Sequence, residues 1–298
     1  MFLRKLAPFF VALGAISFGV PATLMKIARS EGVVNGPLLF WSFLSAVVIL
    51  GVIHIARRRW LRYQHTNWKQ ILAVMAAGTA SGFTNTFYIQ SLKLIPVAAA
   101  AVMLMQAVWL SVLLGSIIHK RRPSRLQVIS IVLVLIGTVL AAGLFPITQS
   151  LSLWGLFLAF LAACAYACTI QFTAMLGNNL DPMSKTWLLC VGAFLLISVV
   201  WGPQIVSAPV TFDTVKWAFW IAIFSMVFPL VAYSIFMQYL DLGIGPILSS
   251  LELPASITIA FLVLGERVDW LQVVGVLIII GAVILPNVWG MQRQNQLR

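Results

Sequence analysis

The sequence predicts an all-α polytopic membrane protein, with ten transmembrane helices arranged as two five-helix repeats of inverted topology. Three observations carry that expectation. The composition is 61% hydrophobic and only 9% charged, with a mean hydropathy of +1.02, whereas a water-soluble domain carries about 25% charged residues. The apolar residues fall into ten blocks, each near the ~20 residues a helix needs to cross a bilayer. One phrase is also written twice, as Tyr88-Ile89-Gln90-Ser91-Leu92-Lys93-Leu94 and as Phe236-Met237-Gln238-Tyr239-Leu240-Asp241-Leu242. Blocks of this length have to be helical in lipid, because each backbone N–H and C=O needs a partner within its own segment.

The first block, 7–27, follows Arg4-Lys5 but is too long for a cleaved signal and lacks a small-residue cleavage site. The second, 34–55, stops at the basic run Arg57-Arg58-Arg59. The third, 70–91, carries Gly78 and Gly82 at the four-residue spacing that lets helices pack closely. The fourth, 96–118, opens on Pro96, and the fifth, 125–143, is the shortest. Block six, 152–173, places Cys164 and Cys168 on one helix face, where geometry disfavours a disulfide. Block seven is 183–202 and holds Cys190; block eight, 214–237, contains Pro229; block nine, 246–264, opens on Pro246 and contains Pro254. The tenth, 270–289, is strongly aliphatic like the fifth, and both suit lipid contact or scaffolding.

The duplication divides the chain into 1–148 and 149–298. Phe18-Gly19 pairs with Tyr166-Ala167 and Gln90 with Gln238 at an offset of 148. Pro96 pairs with Pro246 and Gly115 with Gly265 at 150, and Gln127 pairs with Gln272 at 145. An odd number of helices per repeat forces the second copy to enter the membrane upside down. Charge agrees with this. With the N-terminus inside, fourteen of the nineteen Lys and Arg residues lie on the inner side, and only Lys26, Arg29, Lys93, Lys216 and Arg267 lie outside. Inner loops carry that excess in membrane proteins. Both termini are therefore expected in the cytoplasm, and the net charge of +12 reflects orientation rather than a nucleic-acid site.

These features together resemble the EamA-type drug/metabolite transporter superfamily. The resemblance rests on five helices per half, an aromatic-small pair in each first helix, and Leu264-Gly265-Glu266 closing the ninth block. Glu252 stands thirteen residues before Gly265, where many members carry a glutamate, although Leu253 separates it from Pro254. The first half has Ser116 where the second has Glu266. The resemblance implies a ten-helix carrier of small metabolites, often amino acids or related compounds and frequently outward, with blocks 1, 3, 4, 6, 8 and 9 around a central cavity.

Candidate site residues follow from depth and helix face. Glu252 is the one acidic residue well inside a block; a carboxylate there has to be wetted, paired or protonated, which makes it a candidate for proton coupling or for holding a substrate amine. Ser249 and Ser256 share its face. Trp109 lies mid-block, three residues after Gln106, while most tryptophans sit at block ends as interfacial anchors. Ser81, Asn85 and Tyr88 make one polar stripe in the third block. Phe18 and Tyr166 are repeat mates at mid-depth, and Tyr233, Gln171 and Gln238 are further candidates. For all of these, packing or interhelical hydrogen bonding competes with a ligand role. Gln90 and Gln238 lie near helix ends and suit capping. Pro21, Pro229 and Pro254 are candidate hinges, since each removes a backbone hydrogen bond.

The sequence has no metal-ligand spacing, no phosphate-cradling glycine loop and no catalytic constellation. His54, His65 and His119 fall at the inner edge. No enzyme activity, cofactor, metal or nucleic acid is expected. A secondary carrier driven by gradients is the leading expectation, exporting an amino acid or related compound across a bacterial inner membrane by alternating access. Its partners are the small-molecule substrate, the bilayer and, for coupling, protons; a monomer and a homodimer both fit. The absence of a buried Arg or Lys argues against a multiply anionic substrate. A flippase for a lipid or lipid-linked precursor is the alternative within transport, and an intramembrane enzyme the alternative outside it.

Overall fold

The computed structural model describes residues 2–58, 67–143, 152–207, 209–241, 243–265 and 268–296. Arg59, Trp60, Arg62 and His65 of the basic stretch, and Glu266 and Arg267 after the ninth block, lie outside the described residues. Most of the described residues are helical. The elements are α1 (Phe2–Ser30), α2 (Asn35–Arg58), α3 (Trp68–Ser91), α4 (Val97–Leu104), α5 (Ala107–His119), α6 (Arg125–Ala141), α7 (Leu153–Met175) and α8 (Pro182–Ser207). There follow α9 (Phe212–Ala222), α10 (Phe228–Phe236), α11 (Ile244–Ser249), α12 (Glu252–Leu264) and α13 (Trp270–Gln296). Each of the ten blocks is thus helical, in one piece or in two. Among the described residues, 7 helical stretches are long and apolar enough to cross a membrane. The apolar cores of α6 and α13 are shorter, and α3 has the length but is diluted by Thr79, Ser81, Thr84, Asn85 and Thr86.

Three blocks are not the uninterrupted helices that their composition suggested. Between α11 and α12 the chain turns at Ser250-Leu251, four residues before Pro254. Proline has no N–H to give the Ser250 carbonyl, which instead accepts from Leu253 at 3.3 Å. Between α9 and α10 lies a five-residue π-helix, Ile223–Val227, just ahead of Pro229; the Phe228 N–H reaches back five residues to the Ile223 carbonyl. The break between α4 and α5, at Met105-Gln106, has no proline behind it. There the Gln106 side chain donates to the Val102 carbonyl at 3.2 Å, and the backbone tightens to three-residue bonds, Gln106 N–H to Met103 and Val108 N–H to Met105. Pro21, by contrast, lies within the unbroken α1.

The helix ends are specified locally. Asn67 caps α3 by accepting from the Lys69 N–H at 3.1 Å. Ser124 and Gln127 form a reciprocal capping box at the start of α6. Asp269 and Gln272 begin α13 in a similar way, 145 residues later. α5 ends on Lys120 and α12 on Gly265, both in the left-handed region with φ of 50° and 65°. Helix geometry therefore matches Gly265 with Lys120, again 145 apart, and not with Gly115. The Leu114-Gly115 dipeptide lies inside α5, where Gly115 serves packing and is buried.

α6 runs antiparallel to α13, with Gly137 against the Gly275 carbonyl and Gly143 beside Gln272. α2 runs antiparallel to α8, with Gly36 opposite Gln204 and Gly51 opposite Trp187. α3 and α8 cross most closely. A Cβ on Gly78 would overlap the Leu189 carbonyl, and one on Gly192 the Met75 carbonyl, so glycine is the residue that permits this backbone approach. Gln70 with Asn179, and Ser184 Oγ with His54 Nδ1 at 2.9 Å, tie one end of the bundle, called here the basic end. Lys216 with Glu31 and Asp213, and Trp217 Nε1 donating to Glu31 at 2.6 Å, tie the other.

Candidate functional site

A cavity of about 170 Å³ lies inside the bundle, on the side away from the basic end. Its wall is contributed by α1, α3, α4, α7, α12 and the π-helix with α10. These are the first, third, fourth, sixth, ninth and eighth blocks, the set expected around a central cavity. α6 and α13 pair with each other at its flank.

Glu252 is at the cavity, as the first residue of α12. The break before it gives the carboxylate a place at a helix N-terminus, where the helix dipole favours negative charge. Tyr166 of α7 donates its hydroxyl to Glu252 Oε2 at 2.9 Å. This hydrogen bond joins residues 86 apart in sequence, one from each of two elements that meet only in the folded bundle. Phe18 meets Tyr166 edge-on, with ring centroids 6.4 Å apart, and meets Tyr233 edge-on at 5.7 Å. Asn85 and Tyr88 of α3, with Ser81 and Thr84, supply a polar wall, and the Asn85 side chain donates to the Ser81 carbonyl at 2.9 Å. Pro21 and Ser256 complete this part of the lining.

Other sequence candidates stand apart. Trp109 Nε1 donates to Gln106 Oε1 at 2.9 Å, and this pair is outside the cavity wall, with Trp109 packed on the large apolar core. Ser249 is buried and donates to the Pro246 carbonyl at 2.7 Å. Tyr233 is 2% exposed, and its hydroxyl has no hydrogen-bond partner. Pro229 and Pro254 are buried beside the cavity lining rather than in it. Gln171 ties α7 to α5 by donating to both the carbonyl and the hydroxyl of Ser111, at 2.7 and 3.1 Å. Gln238 donates to the Ile235 carbonyl at 3.1 Å, the capping role its position suggested.

Toward the basic end the cavity is closed by a continuous apolar core that includes Val11, Val108, Ile170, Ile247 and Leu248. Beyond that core lies a second, more polar recess bordered by His119, Arg121, Gln171, Gln238 and Asp241. The bundle thus has a recess at each end with an apolar floor between them.

One sequence expectation is corrected. Lys185 is a buried lysine, 1% exposed, rather than a loop charge. It extends its ammonium group to the Thr173 carbonyl and to Asn178 Oδ1 at 2.7 Å, so its donors cap the end of α7. Its place at the start of α8 concealed this, because the residues that enclose it come from α3, α7 and the 176–181 turn. It lies away from the cavity, so the lining itself still holds no basic side chain. Cys164 and Cys168 are half-buried, and Cys190 is buried. Among the described residues no three His, Cys, Asp or Glu side chains could hold a metal ion.

No curated protein matches the sequence. A solved structure described only as the crystal structure of a protein superposes with a TM-score of 0.75, covering 97% of this chain and 98% of that one at 16% identity. Identity that low speaks for the fold alone. The EamA-like transporter family matches residues 5–143 and 153–288, nearly the whole chain. A membrane-embedded bundle with a central cavity, matched over that length, is a member of the EamA-like transporter family.

Proposed function

We propose that the protein is a secondary carrier that exports a small metabolite, an amino acid or a related compound, by alternating access between the two recesses. The observation that carries this reading is the cavity at Glu252, walled by six of the ten blocks and separated from the second recess by an apolar core. Its volume suits a small organic molecule and not a polymer. Phe18, Asn85, Tyr88 and Tyr166 are the substrate-facing side chains in this reading, and Glu252 is the coupling group. Tyr233 and Ser249 support that wall from behind. Gln106 and Trp109 join the path where α4 gives way to α5. Positive loops favour a cytoplasmic basic end, which would put the Glu252 cavity in the outer half of the bundle. Pro229 and Pro254 lie where the helices have already lost backbone bonds, which suits hinges, and Pro21 supplies a third on α1. In this reading the two halves, 1–148 and 149–298, are inverted repeats, and each contributes one helix, α5 or α12, that moves about a break.

Purified protein in liposomes tests this. Counterflow of labelled amino acids, amines and sugars should show saturable flux of at least one class with no chemical conversion. Conversion of a compound without flux would end the carrier reading in favour of an enzyme.

A further inference from the structure

The chemistry of the cavity wall narrows the substrate class. Glu252 is the one ionisable acid in the lining, and no Lys, Arg or His accompanies it. Its Oε2 is engaged by Tyr166, while Oε1 has no hydrogen-bond partner among the described residues. Several neighbouring hydroxyls have spent their only proton elsewhere. Thr84 donates to the Ala80 carbonyl at 2.9 Å, Thr169 to the Ala165 carbonyl at 3.0 Å, and Tyr166 to Glu252. Each therefore faces a ligand as an acceptor only. The aromatic rings of Phe18, Tyr88 and Tyr166 add π faces, which attract a cation and repel an anion. Met25, Leu104 and Met226 supply an apolar stretch of wall, while Ser81, Asn85, Ser225 and Ser256 supply a polar one.

Such a wall is complementary to a cation carrying an apolar body. A zwitterion is a poorer fit, because its carboxylate would enter a cavity with no cationic side chain, and the neutral donors of Ser81, Asn85, Tyr88 and Ser256 do not neutralise its charge. Arg29 lies one turn beyond Met25 on α1, outside the lining, with its Nε donating to Asn35 Oδ1 at 3.0 Å.

We propose that the ligand seated against Glu252 is a protonated organic amine without a carboxylate, its ammonium on Glu252 Oε1 and its apolar body toward Met25 and Met226. The proposal rests on the carrier reading and chooses within it, placing the substrate among the amine relatives of amino acids.

The test compares phenethylamine, phenylalanine and phenethyl alcohol, which share one aromatic body. Each is titrated calorimetrically at pH 7 into the full-length protein in detergent. Phenethylamine should bind at least tenfold more tightly than phenylalanine, about 1.4 kcal/mol, and the alcohol should bind more weakly than the amine. Glu252→Gln should remove amine binding. Phenylalanine binding as tight as the amine overturns the proposal, as does no amine binding, amine binding that survives Glu252→Gln in a folded variant, or phenylalanine binding that depends on Arg29. The three-ligand comparison uses unmodified protein, so the result stands even where the variant does not fold. Flux of an amino acid without amine binding sinks this proposal and keeps the carrier. Amine binding with no flux of any solute supports the amine site and sinks the carrier.

Discussion

Replacing Gly192 with alanine tests the crossing on which the α3 wall of the cavity depends. A Cβ there would overlap the Met75 carbonyl oxygen and lie 2.7 Å from its carbonyl carbon. Carbon atoms rest at about 3.5–4.0 Å, so α3 and α8 would have to separate by about 1 Å. The obstacle is backbone, and no rotamer change relieves it. A gap of that size forfeits about a quarter to a half of the dispersion across the contact, which includes Val74, Ala77, Leu188 and Leu189. Overpacking costs about 1–3 kcal/mol, and the rigid partner puts this site at the upper end, about 3 kcal/mol. Alanine returns about 1 kcal/mol through helix propensity, which leaves a net loss of roughly 2 kcal/mol. The assay is reversible unfolding in mixed micelles followed by circular dichroism. Gly281→Ala is the control, since nothing lies within 4 Å of its added carbon; it should match the wild type or gain up to about 1 kcal/mol. Gly192→Ala as stable as Gly281→Ala would refute the close crossing.

Three further outcomes follow from other parts of the molecule. Glu252→Gln in liposomes should retain the folded spectrum and lose pH-gradient-driven flux; flux with unchanged pH dependence would remove Glu252 from coupling. Lys185→Ala should cost roughly 3 kcal/mol in the same unfolding assay, since it strands the Thr173 carbonyl and deletes a buried stem. Lys185→Met keeps the stem and should cost less; equal losses would place the contribution in the ammonium's hydrogen bonds alone. Single cysteines at positions 67 and 268, in a background without Cys164, Cys168 and Cys190, should label from opposite faces of the membrane. Labelling from one face would undo the inverted arrangement of the two halves.

Much of the architecture was legible because lipid permits so few solutions. The ten blocks, the close-packing glycines at 78 and 82, and the six blocks around the cavity follow from hydropathy, spacing and the family resemblance. Pro229 and Pro254 marked two of the three interruptions in advance, since a missing N–H has a fixed consequence four residues earlier. The break at Met105-Gln106 was hidden, because its cause is a glutamine side chain competing for a carbonyl, and glutamine is ordinarily a good helix former. The Leu-Gly dipeptides misled about the repeat for a related reason. Gly265 ends its helix in the left-handed region, but Gly115 is a packing residue and Lys120 does the ending. Glu252, Tyr166 and Phe18 were each legible as candidates by depth. Their convergence was not, because a hydrogen bond between residues 86 apart leaves no local trace. Trp109 looked like a pocket residue for the same lack of information: depth was readable and azimuth was not.

Two of the three interrupted segments bear on how such a bundle would change state. Met105 closes α4 and lines the cavity, and Glu252 opens α12 and lines it too. Both breaks therefore lie at the cavity, where it meets the apolar floor. Bending an intact helix there would strand carbonyls in a medium that offers no replacement donors. At Met105-Gln106 and Ser250-Leu251 part of the regular ladder is already replaced by three-residue bonds, so rotation about these points sacrifices fewer regular bonds. The α6–α13 and α3–α8 contacts are backbone against backbone, and steric interlocking of that kind resists sliding. On the carrier reading, access then changes by movement of α5 and α12 about their own breaks, with the tightly crossed pairs as the fixed frame. Such a motion carries Glu252 with it, because that residue is the first on the moving side. Charge placement and hinge placement are in this sense one feature: the backbone break that frees α12 to move is also what leaves its N-terminus available to hold a carboxylate inside the membrane.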